Sequence, residues 1–344
     1  MKVAIITDTH WSARKSSKIF QDYFELFYKN IFFPTLEEHG ITTVIHMGDA
    51  FDSRKSIDFS GLDWTQRVVL NPLSKYQVHM ITGNHDTFYK SSNKINSPDL
   101  LLQSYTNIKT YSEPTEVTIG KLPILFLPWI NSENEKKSMR MIQTSKSKVA
   151  MGHLELQGFH ANKDILIDHG MDSKIFDNFD RVFSGHYHTR STNGKIFYLG
   201  NPYEIYWNDV NDTRGFHLFD TDTLELTEIN NPYQMFHIIH YEDTDIQRMD
   251  FSQYENKIVK LIIRKRSDSK QFEKFLDKLY ESNISDLKII ENFQVQESET
   301  FEHFENEDTL SILNRYIEES EIKLEKTKVQ QILQQLYQEA CDLV

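Results

Sequence analysis

The chain has 344 residues, 39% apolar and 12% aromatic, enough to fill a core and to exclude a disordered polymer. Its 38 Lys and Arg against 51 Asp and Glu leave a net charge of −13, a field that repels nucleic acid, so any DNA contact needs a local basic patch, a bound cation or a partner. The single cysteine, Cys341, excludes an internal disulfide, and no apolar run approaches the roughly 20 residues of a membrane span; a cytoplasmic protein of about two domains, without a membrane role, is expected.

Val3–Ile6 reads as a buried strand. Ile19, Phe20, Tyr23, Phe24, Phe27 and Ile31 then keep helical spacing, with Pro34 breaking or kinking the helix and Gly40 as its end signal. Further strands are expected at Thr42–Met47, Val78–Thr82, Ile124–Leu127, Lys148–Met151, Arg181–Ser184, Ile196–Leu199 and Phe216–Phe219. Short apolar runs alternating with longer amphipathic stretches predict an α/β architecture. After about Pro232 the texture changes to a compact β-α-β pattern: Ile258–Ile263, a helix over Phe272–Leu279, and Leu287–Ile290. Glu291–Glu307 is acidic and reads as a linker, and two helices close the chain. Leu310, Leu313 and Ile317 stripe the first, and Val329, Ile332, Leu333, Leu336, Tyr337 and Ala340 stripe the second.

What ends the strands is the informative feature. The first runs into Asp8 and His10, the second into Gly48-Asp49, and the third into Gly83-Asn84-His85-Asp86. Later strands run into Gly152-His153 and Gly185-His186-Tyr187-His188. Strand C-terminal ends are where α/β folds place their chemistry, and glycine lets the backbone turn sharply and approach a ligand. On an extended segment residues i and i+2 point the same way, which pairs Asp8 with His10 and His186 with His188. Carboxylate and imidazole donors suit Mn, Fe or Zn, whereas thiolate sites need cysteines this chain lacks. One ion needs three or four protein ligands. Seven candidates, Asp8, His10, Asp49, Asn84, His153, His186 and His188, therefore argue for two ions sharing a bridging carboxylate. Singly these residue types mean little. His46, inside an apolar run, reads as a core histidine with a satisfied hydrogen bond; Asp8 alone fits a helix N-cap and Asp86 a turn cap. The ordered set D-x-H, G-D-x-x-D, G-N-H-D, G-H and G-H-x-H rarely arises by chance in one chain.

In this order the motifs resemble the calcineurin-like metallophosphoesterases. Within that superfamily, residues 1 to about 235 resemble the SbcD-type double-strand-break repair nucleases of the meiotic-recombination-eleven family, its phage members especially. The segments that carry this are Gly48-Asp-Ala-Phe-Asp-Ser-Arg-Lys55, Gly83-Asn-His-Asp86, Gly152-His-Leu-Glu-Leu-Gln-Gly158, Gly185-His-Tyr-His188, Leu199-Gly-Asn-Pro202 and Thr213-Arg-Gly-Phe216. The resemblance implies a layered sandwich of two mixed sheets flanked by helices over residues 1–235. It also implies a small β-α-β capping domain over 236–296, and a linker with C-terminal helices over 297–344 that bind an SbcC-type coiled-coil ATPase. Asp8, His10, Asp49 and His188 would hold one divalent ion, and Asp49, Asn84, His153 and His186 the other, manganese being the family expectation. Asp49 is the natural bridge, since a carboxylate can give one oxygen to each ion.

The implied activity is metal-dependent exonuclease and endonuclease hydrolysis of DNA in recombination and repair. His85 is assigned the proton for the departing ribose oxygen, with Asp52, the second Asp of G-D-x-x-D, orienting its imidazole. The alternative is a small-substrate phosphoesterase acting on phosphoproteins or nucleotides; Asp86-Thr-Phe after the G-N-H triplet, with no arginine, disfavours it. A non-catalytic scaffold is weaker still, because every ligand position carries a competent donor. The run Lys260, Arg264, Lys265, Arg266, Lys270 and Lys274 reads either as a track for a DNA backbone or as a solvated face. A homodimer is also implied, and Phe20, Phe24, Phe27 and Phe33 of the first helix read as a surface for it or, more simply, as core.

Overall fold

Val3 and Ile5 face one way and Ala4 and Ile6 the other, yet all four are buried, as a strand covered on both faces requires. The computed structural model describes residues 1–163, 165–243, 249–264, 268–291 and 328–329. Its strands are β1 (Lys2–Ile6), β2 (Thr43–His46), β3 (Gln77–Ile81), a small hairpin β4 (Thr87–Tyr89) and β5 (Ser92–Asn96), β6 (Ile108–Tyr111), β7 (Thr115–Ile119), β8 (Leu122–Leu127), β9 (Val149–His153), β10 (Arg181–Gly185), β11 (Ser191–Thr192), β12 (Ile196–Tyr198), β13 (Gly215–Asp220), β14 (Leu226–Asn230), β15 (Phe236–His240), β16 (Ile258–Ile263) and β17 (Asp286–Glu291).

One six-stranded sheet runs β14-β13-β1-β2-β3-β6, with β1, β2, β3 and β6 parallel. A second runs β11-β12-β10-β9-β8-β7, with β8, β9, β10 and β12 parallel. Val3, Ile5, Ile45 and Ile81 of the first sheet share a core with Ile124, Phe126, Met151 and Phe183 of the second, so the sheets stack face to face. The opposite faces carry helices: Ala4, Ile6, Val44 and Met80 pack with Phe24, Phe27 and Phe32, while Leu125, Ala150 and Val182 pack with Ile142 and Phe176. This is the expected layered sandwich of two mixed sheets. Parallel neighbours bring their C-terminal tips to one edge, so Asp8, Asp49, Asn84, His153 and His186 gather there.

The first long helix differs from expectation in one respect. Lys18–Phe27 continues through a wider π turn, Tyr28–Phe32, into Phe33–Glu38. Pro34 lies in the first turn of that last segment, where a missing N–H costs little, so the widened turn accommodates it without ending the helix. Its aromatics are core. Phe20, Phe24 and Phe27 are buried, and Phe24 stacks on Tyr203 at 3.8 Å between ring centroids. None of the three is free to meet a second copy.

The expected β-α-β unit is present as β16, the helix Ser269–Glu281 and β17, and β15 adds a third parallel strand in the order β15-β16-β17. Phe272, Phe275 and Leu279 pack on Val259, Leu261 and Ile263. The unit meets the sandwich where Phe236 packs against Phe20 and Trp207. Lys260 is only 3% exposed and its ammonium sits 4.1 Å from the Trp207 ring centroid; it therefore leaves the basic run proposed for DNA. Lys265 and Arg266 of that run lie outside the described residues, as do the acidic linker after Glu291 and the closing helices apart from Lys328 and Val329. Among the described residues, no helix is long and apolar enough to cross a membrane.

Phe27 is fully buried among Tyr28, Phe32, Tyr203 and Phe216, so Phe27→Ala is expected to cost about 3–5 kcal/mol in chemical denaturation. Phe59→Ala, at a side chain 93% exposed, is the matched control and leaves the midpoint in place.

Candidate metal centre

The centre begins where β1 and β2 run out side by side. Asp8, His10 and Trp11 donate their N–H groups to the carbonyls of Gly48, Asp49 and Ala50 at 3.0, 3.1 and 2.9 Å. The two loops are thus laced together beyond the sheet. Asp8, His10 and Asp49 have φ of 51°, 41° and 52°, left-handed backbone in which Asp and His are among the better-tolerated side chains. Strand alternation is therefore not what turns Asp8 and His10 to the same side; the loop conformation does it. His186, with φ 86°, likewise departs from extended geometry, and His186 and His188 go to different groups of donors.

Close approach explains two of the glycines. A Cβ on Gly83 would lie 2.2 Å from Asp49 Oδ1, and one on Gly185 would lie 2.1 Å from Thr7 Oγ1. Asp86 is more than a turn cap. Its Oδ1 accepts from the Ala50 and Phe51 N–H groups at 3.0 and 3.1 Å, and its Oδ2 from Gly83 N–H at 2.9 Å, which ties the loop after β2 to the loop after β3. His46 is the expected core histidine, 2% exposed and 2.9 Å from Thr9 Oγ1.

Among the described residues three groups have ligand atoms within 4.8 Å of one another: Asp8 with His10 and His188, Asp49 with His153 and His186, and His10 with Asp52 and His85. Asn84 joins the second, its Oδ1 lying 2.9 Å from His153 Nε2 and 3.0 Å from His186 Nδ1. Asp49 sits between the first two groups. Its Oδ1 accepts the His85 N–H at 2.7 Å, while Oδ2 is 3.3 Å from His153 Nε2 and 3.9 Å from His10 Nε2. Asp8 is fixed by Thr7 Oγ1 at 2.6 Å and by the His186 N–H at 3.1 Å. All seven sequence-selected donors thus meet at one edge.

His85 and Asp52 also lie there, but the expected pairing is different. His85 Nδ1 is 2.7 Å from the backbone carbonyl of Asp52, so Asp52 holds the imidazole through its main chain. The Asp52 carboxylate faces His10 instead, with Oδ1 3.2 Å from His10 Nδ1. A bent loop brings the residue to His85 while its side chain turns inward, an arrangement that motif spacing does not reveal.

Burial opposes the charge on Asp49, but His153, His85 and His10 around it hold its carboxyl well below the ordinary range. Asp8 is pushed up, first by burial and then by Asp49. His153 is raised to about 9: burial opposes this, and Asp49 and Asp8 overcome it. His10 is likewise raised, to about 8, with burial opposing and Asp52 and Asp49 overcoming it, whereas burial lowers His186 and His188. Both ring nitrogens of His10, a residue 1% exposed, lack a well-aligned hydrogen bond among the described residues. Buried carboxylates, imidazole lone pairs and one amide oxygen converging in this way fit divalent cations, and the arrangement about Asp49 fits two.

Residues 1–190 match the calcineurin-like phosphoesterase family. Over 284 residues the chain is 31% identical to exonuclease subunit 1 of Enterobacteria phage T4, covering 82% of each chain. The chain belongs to the calcineurin-like phosphoesterase family. It is accordingly a metal-dependent phosphoesterase with a dinuclear divalent centre, and the resemblance read from its motifs holds at that level. Among solved structures it aligns with an archaeal phosphodiesterase at 15% identity, over 67% of this chain and 100% of that one, with a TM-score of 0.35. It also aligns with the nuclease MPE of Pseudomonas putida at 15% identity, over 65% of this chain and 86% of that one, with a TM-score of 0.28. Overlaps this low say nothing about activity.

Sequence reasoning missed the layer behind the donors. Arg214, 2% exposed, contacts Asp209 Oδ1 at 3.1 Å and Asp212 Oδ2 at 2.8 Å. It also donates to the His188 carbonyl and to Asn201 Oδ1. This accounts physically for the Leu199–Pro202 and Thr213–Phe216 segments: they hold the His188 loop. Only their family resemblance marked them beforehand, because a buried ion cluster has no local sequence period.

Gly185→Ala is expected to lower divalent-cation affinity at least tenfold in calorimetric titration, since its Cβ would collide with Thr7 and crowd Asp8 Oδ2 at 2.8 Å. Gly194→Ala, where no atom lies within 4 Å of the new Cβ but φ is +90°, strains only a distant turn and leaves cation binding unchanged.

Proposed function

We propose that this chain is a two-metal DNA nuclease, hydrolysing phosphodiester bonds as the nuclease subunit of a complex with a partner ATPase. The observation that carries the reading is the convergence of six donors around a seventh, Asp49, with a half-buried histidine, His85, beside them. Kinship with an exonuclease subunit of phage T4 supports DNA as the substrate. Asp8, His10, Asp49 and His188 would hold one ion and Asp49, Asn84, His153 and His186 the other. When bound, a pair of divalent ions draws charge from phosphate oxygens and acidifies water at neutral pH. Manganese is the proposed metal, from a donor set that also accepts iron or zinc.

The chain's own residues do the rest. A carbonyl can only accept, so His85 Nδ1 must donate its hydrogen to Asp52 O. That leaves Nε2 as the ring nitrogen that, in the doubly protonated imidazolium, would deliver a proton to the departing sugar oxygen. The Asp52 carboxylate beside His10 Nδ1 restrains that ring with Nε2 toward Asp49, the way carboxylates orient metal-binding imidazoles. Self-association would have to use a surface other than the buried first-helix aromatics, and the exposed Phe59, Phe88, Tyr89 and Leu100 offer one. The apolar stripes of residues 310–340 are the proposed grip on the ATPase, and Arg264, Lys270 and Lys274 remain as candidate DNA contacts.

Incubating the purified chain with manganese and labelled linear DNA, beside a phosphomonoester control, is expected to give DNA cleavage without monoester turnover. Monoester turnover alone would replace the nuclease with a small-substrate phosphatase. His85→Gln should retain bound manganese and lose about 10²–10⁴-fold in kcat, whereas Asp49→Asn should lose metal and activity together; undiminished turnover of the His85 variant removes its role. Deleting residues 308–344 should spare hydrolysis of short DNA and abolish co-purification with the ATPase. Full-strength association of the truncated chain would contradict the assignment of that segment.

A further inference from the structure

Beside the second cluster of donors lies a cleft of about 310 Å³, reaching His153 at one end and lined beyond it by Trp129, Asn131, Glu135, Glu155 and Met171, to which the proposed hydrolysis assigns no role. We propose that this cleft is a nucleobase subsite, with the Trp129 indole as its stacking wall, for a nucleotide adjoining the bond being cut. The proposal rests on the nuclease reading and names the part of the substrate the cleft takes.

The wall is built and held. Trp129 follows β8 and is half-buried; its ring centroid lies 5.1 Å from that of His186 and 6.1 Å from that of His153. Its N–H donates to Thr82 O at 2.8 Å, one residue before the Gly83-Asn84-His85-Asp86 turn. Its carbonyl accepts from Asn93 Nδ2 at 2.8 Å and from Asn134 Nδ2 at 3.0 Å. Asn131 Nδ2 in turn donates to Asn93 Oδ1 at 2.8 Å, and Asn134 Oδ1 accepts the Asn131 N–H at 2.9 Å. All three asparagines are buried. A closed amide network of this kind fixes one backbone geometry, its three asparagines bonding to one another and to the Trp129 carbonyl. It registers an indole, half open to solvent, against the metal centre.

The lining selects the occupant. Glu135 and Glu155 repel phosphate, so the strand's backbone stays at the cations and an uncharged ring enters. The volume is at the small end of the roughly 300–1,000 Å³ of small-molecule sites, suited to one base. Any base has a π face, so stacking on Trp129 adds affinity without strict sequence choice.

The test is a cycle between the indole and the base, run on the full-length manganese-loaded chain. Short single strands, intact or carrying an abasic tetrahydrofuran residue at successive positions around the cut, are assayed with wild type, Trp129→Leu and Trp129→Phe. Kd is read separately by fluorescence anisotropy in a His85→Gln background that leaves the DNA uncut. Leucine keeps apolar bulk beside His186, and phenylalanine keeps an aromatic face. Trp129→Leu should raise KM and Kd on intact strand about tenfold while leaving kcat and manganese content unchanged, the pattern of an interaction made equally in ground and transition states. At one abasic position that loss should vanish, and phenylalanine should restore most of the affinity on intact strand. Equal losses on intact and abasic strands, or none on either, would overturn the subsite and leave the nuclease reading standing. A wild-type chain that neither binds nor cuts DNA would sink both.

Discussion

Everything in this protein's active edge depends on the burial of Asp49, a carboxylate 2% exposed and surrounded by imidazoles from four separate segments of the chain. A charge in that position is costly unless opposite charge or hydrogen bonds compensate it. One oxygen is satisfied by the His85 N–H, and the other is turned toward His153 and His10. The fold is arranged to make that burial possible. Parallel strands β1, β2 and β3 end side by side, those of the second sheet end opposite them, and glycines let the turns close on one another. A divalent cation would supply the opposite charge that Asp8 and Asp49 need at this depth.

Rigidity comes from the layers behind the metal-binding donors. Asp86 clips the loops after β2 and β3 together, and Arg214 with Asp209 and Asp212 pins the His188 loop. The Asn93–Asn131–Asn134 network does the same for the segment bearing Trp129. Left-handed backbone at Asp8, His10, Asp49 and His186 is sparsely populated conformation concentrated at the site, and it persists only where surrounding contacts over-determine it. The laced carbonyls of Gly48, Asp49 and Ala50, and for His186 the Asp8 carboxylate, are those contacts.

The sandwich's central strands were legible because both faces are buried, which writes them as continuous apolar runs such as Val3–Ile6 and Ile124–Leu127. Edge strands were not. Ile108–Tyr111, Thr115–Ile119 and Leu226–Asn230 mix half-buried with exposed positions and bury few side chains, and they resemble loops until a neighbouring strand is present. The donors were legible as a set because each ends a strand. The contact of the Asp52 carboxylate with His10, while its main-chain carbonyl holds His85, was not legible, because a loop's direction is decided by contacts from elsewhere in the chain. Lys260 shows the same limit: a lysine within a basic run reads as solvent-facing, yet its aliphatic stem is buried in β16 and its ammonium rests over Trp207.

The central claim is that Asp49 bridges two cations caged by strand tips from both sheets. Anomalous diffraction at the manganese edge, from crystals grown in manganese, tests it most directly. The account predicts two peaks per chain, one among Asp8, His10 and His188 and one among Asn84, His153 and His186, with an Asp49 oxygen coordinating each. A single peak, or two peaks without Asp49 between them, would contradict it.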